Sequence, residues 1–501
     1  MLPKDYLSSE NLLTKLHNES EKYWINKGEK RALQLFKEMS VRVPAYRDFL
    51  KINKVDPSKI ASIKDFENIP TLNKDNYLRK YPKEKLCWDG NFAKGQWVIS
   101  STSGSTGQPY YFPRESSQDW QYAITAELYL RNNFQIHKKR SLYIVAFPMG
   151  AWIGGLFTYE ALKLLSQKGN YDLSIITPGI HKQEVINAVK QLGGHFDQII
   201  IGSYAPFLKD ILDDGKRAGI KWEELNVKFI FSAEAFTEKF RDYVLKMTNN
   251  DDPITSTLNH YGTVDLGTMA HETPESILIR RTLVENDQLE FLFPEPYRQP
   301  TLAQYNPELF YFEAQGNNLI CSAYSGIPLF RYDLSDYGGI LTRGQLHSRL
   351  IDYGYNVDSI LKSITDRQLT WNLPFVFVYE RNDFSVSYYA FQLYPDTIRR
   401  GLQDDNLETY LTGKFSMEVN YSESGRQQLN IYIELRHAIV PTKTIENEVL
   451  EGIQRKLMDE SSEYREVYKM VGPEALPKIV LLEYEDEKYF KPGTKQKWVI
   501  K

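Results

Sequence analysis

Thr102-Ser103-Gly104-Ser105-Thr106-Gly107-Gln108-Pro109 lies just past the apolar run Trp97-Val98-Ile99. A hydroxyl- and glycine-rich loop leaving a strand can turn several backbone N–H groups and side-chain hydroxyls toward one anion without steric penalty. A polyphosphate requires that arrangement. The G-x-x-x-x-G-K-[ST] spacing of the mononucleotide-binding loop is absent, and Gln108 stands where a lysine would be expected. By itself such a cluster is equally an ordinary surface turn, so its reading depends on the rest of the chain.

At 501 residues the chain is too long for one compact core, which predicts a large domain and a smaller one. Its 42% hydrophobic and 25% charged residues are ordinary for a globular protein. A net charge of −4, spread over 61 basic and 65 acidic residues, leaves no electrostatic footprint for nucleic acid or an anionic membrane. Cys87 and Cys321 form neither a metal-ligand nor a disulfide pattern, so a reducing, cytoplasmic compartment is expected. The N-terminus lacks the apolar core of a signal peptide. The uncharged stretch from Ser141 to Tyr159 reaches the length of a membrane span, yet Pro148, Gly150, Gly154 and Gly155 interrupt it. A buried strand, a glycine turn and the start of a helix are the expectation there.

The first sixty residues read as amphipathic surface helices, with Leu12, Leu13, Leu16, Leu33, Leu35 and Phe36 at helical spacing. From about residue 120 to 340, short runs such as Leu142–Phe147, Gln198–Ile201, Val227–Phe231 and Leu319–Cys321 alternate with helical patterns around 183–192 and 237–247. This predicts an α/β fold with largely buried strands, whose ligands gather at the carboxyl ends of the strands. A boundary falls near Tyr379-Glu380-Arg381-Asn382-Asp383, after which strand patterns (415–420, 429–435, 479–483) and a helix (444–458) predict a compact α+β unit.

Several stretches carry candidate chemistry. Phe147-Pro148-Met149-Gly150-Ala151-Trp152 and Gly202-Ser203-Tyr204 are strand ends with large aromatics; Ser232-Ala233-Glu234-Ala235-Phe236 follows another strand. His260-Tyr261-Gly262-Thr263-Val264-Asp265 keeps a carboxylate for a hard cation. In Phe330-Arg331-Tyr332-Asp333-Leu334-Ser335-Asp336-Tyr337-Gly338, Asp336 is a carboxylate able to accept from two vicinal hydroxyls. Lys491-Pro492-Gly493-Thr494-Lys495-Gln496-Lys497-Trp498-Val499 ends the chain. His260 reads as a structural histidine, since no carboxylate or nucleophile is visibly paired with it.

Taken in order, these stretches resemble the motifs of the adenylate-forming superfamily, which comprises acyl-CoA ligases, luciferases and peptide-synthetase adenylation domains. Val43-Pro44-Ala45-Tyr46-Arg47 and Ile69-Pro70-Thr71-Leu72-Asn73-Lys74 are similar to segments of its phenylacetate–CoA ligase and CapK-like branch. The resemblance implies an α/β, multi-sheet fold: a large N-terminal domain (residues 1–378) of packed β-sheets and helices, and a small mobile α+β C-terminal domain (379–501). It implies phosphate binding by Thr102, Ser103, Gly104, Ser105, Thr106 and Gly107, and AMP binding by Ser232, Ala233, Glu234, Tyr261, Gly262, Thr263 and Asp336. Phe147, Trp152, Tyr204 and Met269 would wall the acyl pocket, Asp265 would reach magnesium, and Arg381 and Asp383 would form the hinge. Lys495 matches the catalytic lysine, with Lys497 as its fallback.

Departures from the pattern are specific. Ser232 and Ala235 replace the glycine and proline of the adenine turn, Val264 stands where a hydroxyl belongs, Glu380 replaces the hinge glycine, and Ala390 replaces a glycine that lets a phosphopantetheine arm pass. The implied activity is ATP-dependent activation of a small-molecule carboxylic acid to an acyl-adenylate, with Mg²⁺, followed by acyl transfer. The acceptor stays open between coenzyme A, a phosphopantetheine carrier protein, an amine and a sugar. A catalytically degenerate nucleotide-binding or scaffolding homologue is the alternative. Members of the branch are often homodimers, and neither nucleic acid nor a membrane span is implied.

Overall fold

A computed structural model describes residues 3–102, 109–151, 153–233, 235–286, 292–295, 299–381, 386–388, 391–421, 427–492 and 496–500. Near the N-terminus, helices Ser9–Asn18 and Glu21–Arg42 begin at Ser8 and Ser20, whose hydroxyls accept from Asn11 N–H and Tyr23 N–H. Leu12, Leu16, Leu35 and Phe36 are buried, as their helical spacing predicts, while Leu13 and Leu33 sit half-buried at the edge of the core.

β1 (Val98–Ser101) and β2 (Tyr111–Arg114) pair antiparallel and enclose the hydroxyl-rich loop. A parallel block follows, built from β3 (Ser141–Ala146), β4 (Leu173–Ile176), β5 (Gln198–Ser203), β6 (Val227–Ser232) and β7 (Thr257–Thr263). Helices Ile153–Gln167, Lys182–Leu192, Ala205–Arg217 and Glu238–Met247 make the crossovers. Every residue of β3 and β5 is buried, which accounts for their unbroken apolar runs. The stretch from Ser141 is therefore a strand, a glycine turn and a helix start, and among the described residues no helix is long and apolar enough to cross a membrane.

The chain then turns antiparallel through β8 (Gly267–His271), β9 (Thr301–Gln304), β10 (Phe310–Gln315), β11 (Asn318–Ala323), β12 (Leu329–Leu341) and β13 (Phe375–Arg381). Together these strands form an 11-stranded sheet ordered β10-β11-β12-β13-β9-β8-β7-β6-β5-β3-β4. The multi-sheet α/β class expected from the sequence is the one observed.

Beyond β13 come β14 (Val386–Tyr388), β15 (Phe391–Leu393), β16 (Leu411–Tyr421), β17 (Gln427–Leu435) and β18 (Lys478–Leu482), with helix Lys443–Glu460 packed against them. Phe415, Ile431, Ile453 and Trp498 belong to an apolar cluster made only of residues from 386 onward. Charges hold this part against helix Ala205–Arg217. The Lys414 ammonium, on β16, is buried 2.6 Å from Asp210 and 3.1 Å from Glu434. Arg436 pairs with Asp213 at 2.8 Å, and Lys182 pairs with Asp214 at 2.5 Å and with Glu485. Burial works against the charge on Lys414, but Asp210 and Glu434 outweigh it and hold its pKa above the ordinary lysine value.

Asp210→Asn keeps the shape and removes one carboxylate from this buried cluster. It is expected to cost about 2 kcal/mol, the loss of a hydrogen bond to a charged group, read as a lower urea-unfolding midpoint. An unchanged midpoint would show the contact to be idle.

Candidate active site

Four segments end at one edge of the parallel block. Register pairs Ala146 with Ser203, Ser203 with Phe231, and Ser232 with His260. Phe147, Tyr204, Ser232 and Tyr261 thus emerge side by side at the carboxyl ends of β3, β5, β6 and β7, the position at which open α/β sheets bind ligands. Ring centroids of Phe147 and Tyr204 are 5.9 Å apart, with their planes inclined at 60°. A Cβ at Gly202 would lie 2.8 Å from both Phe147 Cε2 and Tyr143 Oη, so only glycine fits beside this wall. Met269 is buried on β8, the antiparallel neighbour of β7. Trp152 lies outside the described residues.

Ser103, Gly104, Ser105, Thr106 and Gly107, expected to bind phosphate, also lie outside them; the neck that leads into this stretch is held by three hydrogen bonds. Thr102 N–H donates to Tyr110 O at 3.0 Å, and Tyr110 N–H donates to Thr102 Oγ1 at 2.9 Å. The Thr102 hydroxyl therefore closes the neck while keeping its own proton to donate. Ser101 N–H donates to Ala151 O at 2.8 Å, drawing the glycine turn after β3 onto the same neck.

β7 and β12 are locked together reciprocally. Tyr261 Oη donates to Asp336 Oδ2 at 2.6 Å, and Tyr332 Oη donates to Asp265 Oδ2 at 2.5 Å. Each motif's tyrosine thus holds the other motif's carboxylate. Burial and the facing carboxylate raise both phenol pKa values well above the ordinary range, so both remain donors. All four side chains are buried. A carboxylate offers about four acceptor sites, so the bond from Tyr261 orients Asp336 without saturating it.

Lys74 and Arg331 carry roles that motif reading missed. Leu72 N–H donates to Arg331 O at 2.9 Å and Asp333 N–H donates to Leu72 O at 2.8 Å, so the 69–74 segment pairs with β12. This brings Lys74 Nζ to 3.7 Å from Asp265. Arg331, buried and at a φ of 49°, donates to the carbonyls of Phe66 and Ile69 and faces Glu313 at 3.1 Å. Its role is to clamp the N-terminal segment. Position within the two matched motifs was the available signal; the partner of each residue was not readable.

Magnesium is commonly held by one or two carboxylates together with substrate phosphates. Asp265, oriented by Tyr332 just past the carboxyl end of β7, fits that role. Among the described residues no cluster of three or more His, Cys, Asp or Glu side chains offers an all-protein metal cage.

At the turn expected to lie against adenine, Ser232 ends β6 and Ala233 adopts a φ of 72°, the left-handed region that favours glycine. Glu234 lies outside the described residues. Gly262 and Thr263 complete β7, and the Thr263 hydroxyl accepts from Leu266 N–H at 3.2 Å. His260 is buried against Tyr129 and Tyr122, in keeping with a structural role. Arg381 ends β13, opposite Asp336 in register, while Asp383, Ala390 and Lys495 lie outside the described residues. Lys497 is exposed.

No family model matches the chain, and no curated protein matches it by sequence. Among solved structures, it is similar to 2-hydroxyisobutyryl-CoA ligase in the postadenylation state in complex with R3-HIB-AMP. The TM-score is 0.67 at 13% identity, over 97% of this chain and 91% of that one. The same ligase with 2-HIB-AMP and CoA in the thioesterification state aligns at a TM-score of 0.52 and 12% identity, over 97% and 91%. AtGH3.15 acyl acid amido synthetase in complex with 2,4-DB aligns at a TM-score of 0.60 and 14% identity, over 100% of this chain and 96% of that one. Likeness at such identities is one of fold, and the fold of this chain is that of the adenylate-forming enzymes.

Proposed function

We propose that the protein is an adenylating ligase. A substrate carboxylate attacks the α-phosphorus of ATP, the bond from that phosphorus to the bridging oxygen breaks, and pyrophosphate leaves an acyl-adenylate behind. The observation that carries this reading is the reciprocal pair Tyr261–Asp336 and Tyr332–Asp265, which presents two oriented carboxylates joining β12 to the carboxyl end of β7. Asp336 takes the ribose hydroxyls, and the loop residues Thr102 to Gly107 take the leaving phosphates. The turn at Ser232–Glu234 and the segment Tyr261–Thr263 take the base and α-phosphate. Phe147, Trp152, Tyr204 and Met269 wall an apolar or aromatic acid.

Two anions meet in this step, so electrostatics dominates its barrier. Asp265 would hold Mg²⁺, which when bound neutralises phosphate charge; Lys74 adds positive charge beside it. Lys495 bridges the carboxylate and the α-phosphate.

The reading divides the chain into a unit of residues 1–378 that binds ATP and the acid, and a mobile unit of 379–501 that swings about Arg381 and Asp383. The separate apolar cluster from residue 386 onward supports the division. In support of the motion, the chain matches 2-hydroxyisobutyryl-CoA ligase at 0.67 in its postadenylation state but at 0.52 and 0.51 in its thioesterification and open states. The activated acyl group passes to a thiol or an amine, since the similar structures include a CoA ligase and an amido synthetase. AMP release with coenzyme A as the sole nucleophile separates these acceptors.

Carboxylate-dependent ATP–pyrophosphate exchange against aryl, fatty, amino and hydroxy acids tests the proposal. Exchange with one class names the substrate; absence of exchange with every class, while ATP binding remains measurable by calorimetry, would refute adenylation. Asp336→Asn is expected to weaken ATP binding about tenfold by replacing a charge-assisted acceptor with a neutral one. Calorimetric titration of parent and variant checks it.

A further inference from the structure

Beneath the turn assigned to the base lies a buried cluster of charges to which neither the motifs nor the adenylation chemistry gives a role. Glu238, Arg241, Glu272 and Arg280 are each at most 2% exposed. Arg280 Nη1 donates to Glu272 Oε1 at 2.7 Å, and Arg280 Nη2 donates to Phe236 O at 2.9 Å. Arg241 Nη2 donates to the same Glu272 oxygen at 2.8 Å, and Arg241 Nε donates to Glu238 Oε2 at 2.8 Å. The other Glu272 oxygen accepts from Asn259 N–H at 2.9 Å. Both guanidinium groups also lie over the Phe236 ring, at 5.1 and 5.2 Å from its centroid.

The geometry joins two walls of one site. Asn259 is on β7, in the strand that carries Tyr261, and Phe236 ends the turn that begins at Ser232. One carboxylate, Glu272, therefore holds β7 directly and holds the far end of the turn through Arg280. That turn is the place where this chain has Ser232 and Ala235 in place of the glycine and proline of the motif it resembles, and where Ala233 bears a positive φ of 72°. A non-glycine residue in this region persists only where its surroundings hold it there.

We propose that Arg280 and Glu272 are positioning residues for the nucleotide base: their buried hydrogen bonds hold the Ser232–Phe236 turn against β7, in place of the stiffness that proline would supply. The inference rests on the adenylation reading, in which this turn lies against adenine. Arg280 acts through the turn and touches no substrate. Lysine cannot reproduce its planar fork, which serves Glu272 and the Phe236 carbonyl together.

The test is calorimetric titration of ATP into the parent chain, Arg280→Lys, Ala235→Pro and the double variant, with thermal unfolding and the KM and kcat of exchange measured alongside. Arg280→Lys is expected to weaken ATP binding about tenfold and to raise KM for ATP while kcat is largely kept, the signature of lost positioning in the ground state. Ala235→Pro is expected to restore most of that loss in the double variant and to change affinity less than about twofold in the parent, whose turn is already held. ATP affinity within twofold of the parent in Arg280→Lys, even with a lower unfolding temperature, would overturn the inference and leave the cluster a structural one. If Arg280→Lys does not fold, Ala235→Pro alone decides: a gain of about tenfold in the parent would mean the turn is loose and would overturn the proposal. Failure of the parent itself to bind ATP overturns the adenylation reading, a result distinct from all of these.

Discussion

Lys495→Ala is expected to lower carboxylate-dependent ATP–pyrophosphate exchange by about a thousandfold, the upper range for deleting one preorganised donor at a charged transition state. Attack of the acceptor on preformed acyl-adenylate is expected to survive. The asymmetry follows from the chemistry: only the first step brings a carboxylate anion up to a polyphosphate, and only that step needs a cation between them. The chain just beyond Lys495 is anchored along β16. Met417 N–H donates to Trp498 O and Ile500 N–H donates to Met417 O, each at 2.8 Å. Gln496 Nε2 donates to Phe415 O at 3.0 Å, and the buried Trp498 ring packs 4.8 Å from that of Phe415, with the Arg399 guanidinium over it. This tail is therefore built onto β16 and its apolar cluster. Lys497→Ala serves as the control, because Lys497 is exposed and contributes its carbonyl to Ser416; loss of exchange there instead would transfer the role. Equal loss of both half-reactions in Lys495→Ala would sink the two-state picture.

A second large effect is expected from acid. His260 is pushed down to about 3, by burial first and then by His271. Burial pushes His271 down to about 4, partly opposed by the Glu272 carbonyl 2.8 Å from its Nδ1. Both rings pack 5.1 Å from Tyr129, and His260 Nε2 is buried without a hydrogen-bond partner. The folded-state values lie below the unfolded value of about 6.5, so the unfolded chain takes up these protons first. The stability from keeping both rings neutral is fully present above that value and is lost as pH falls through 6 and 5 toward 4. Each histidine contributes a slope of about 1.4 kcal/mol per pH unit. Urea unfolding at pH 7.5, 6.0 and 5.0 checks this, and His260→Gln is expected to flatten the profile by one proton. A level profile in the parent across that range would contradict the burial argument.

How much of this was legible in the sequence varies by kind of feature. The buried parallel strands β3, β5 and β6 announced themselves as unbroken apolar runs, because strands covered on both faces need no polar alternation. The helix Lys443–Glu460 and the strands around it were likewise readable from periodicity. The motifs named Asp265, Asp336 and Tyr261 as candidates; all three are buried, and Tyr261 on β7 bonds Asp336 on β12.

Pairing among these residues was not legible. That Tyr332 holds Asp265, that Tyr261 holds Asp336, and that Lys74 approaches Asp265 depend on the path of β12, with positive φ at Arg331 and Ser335 and a register shift between Asp336 and Gly338. Neither Arg331 nor Ser335 is a glycine, so no residue type marked those kinks. Nothing local in the sequence marks Arg280 and Glu272, since burial and partnership depend on neighbours brought together by the fold. The sequence by itself determined the order of strands and helices and the chemical groups available to the site, because periodicity and turn composition are local properties. Which carboxylate meets which donor was decided only by tertiary structure, through strand register and packing between segments hundreds of residues apart.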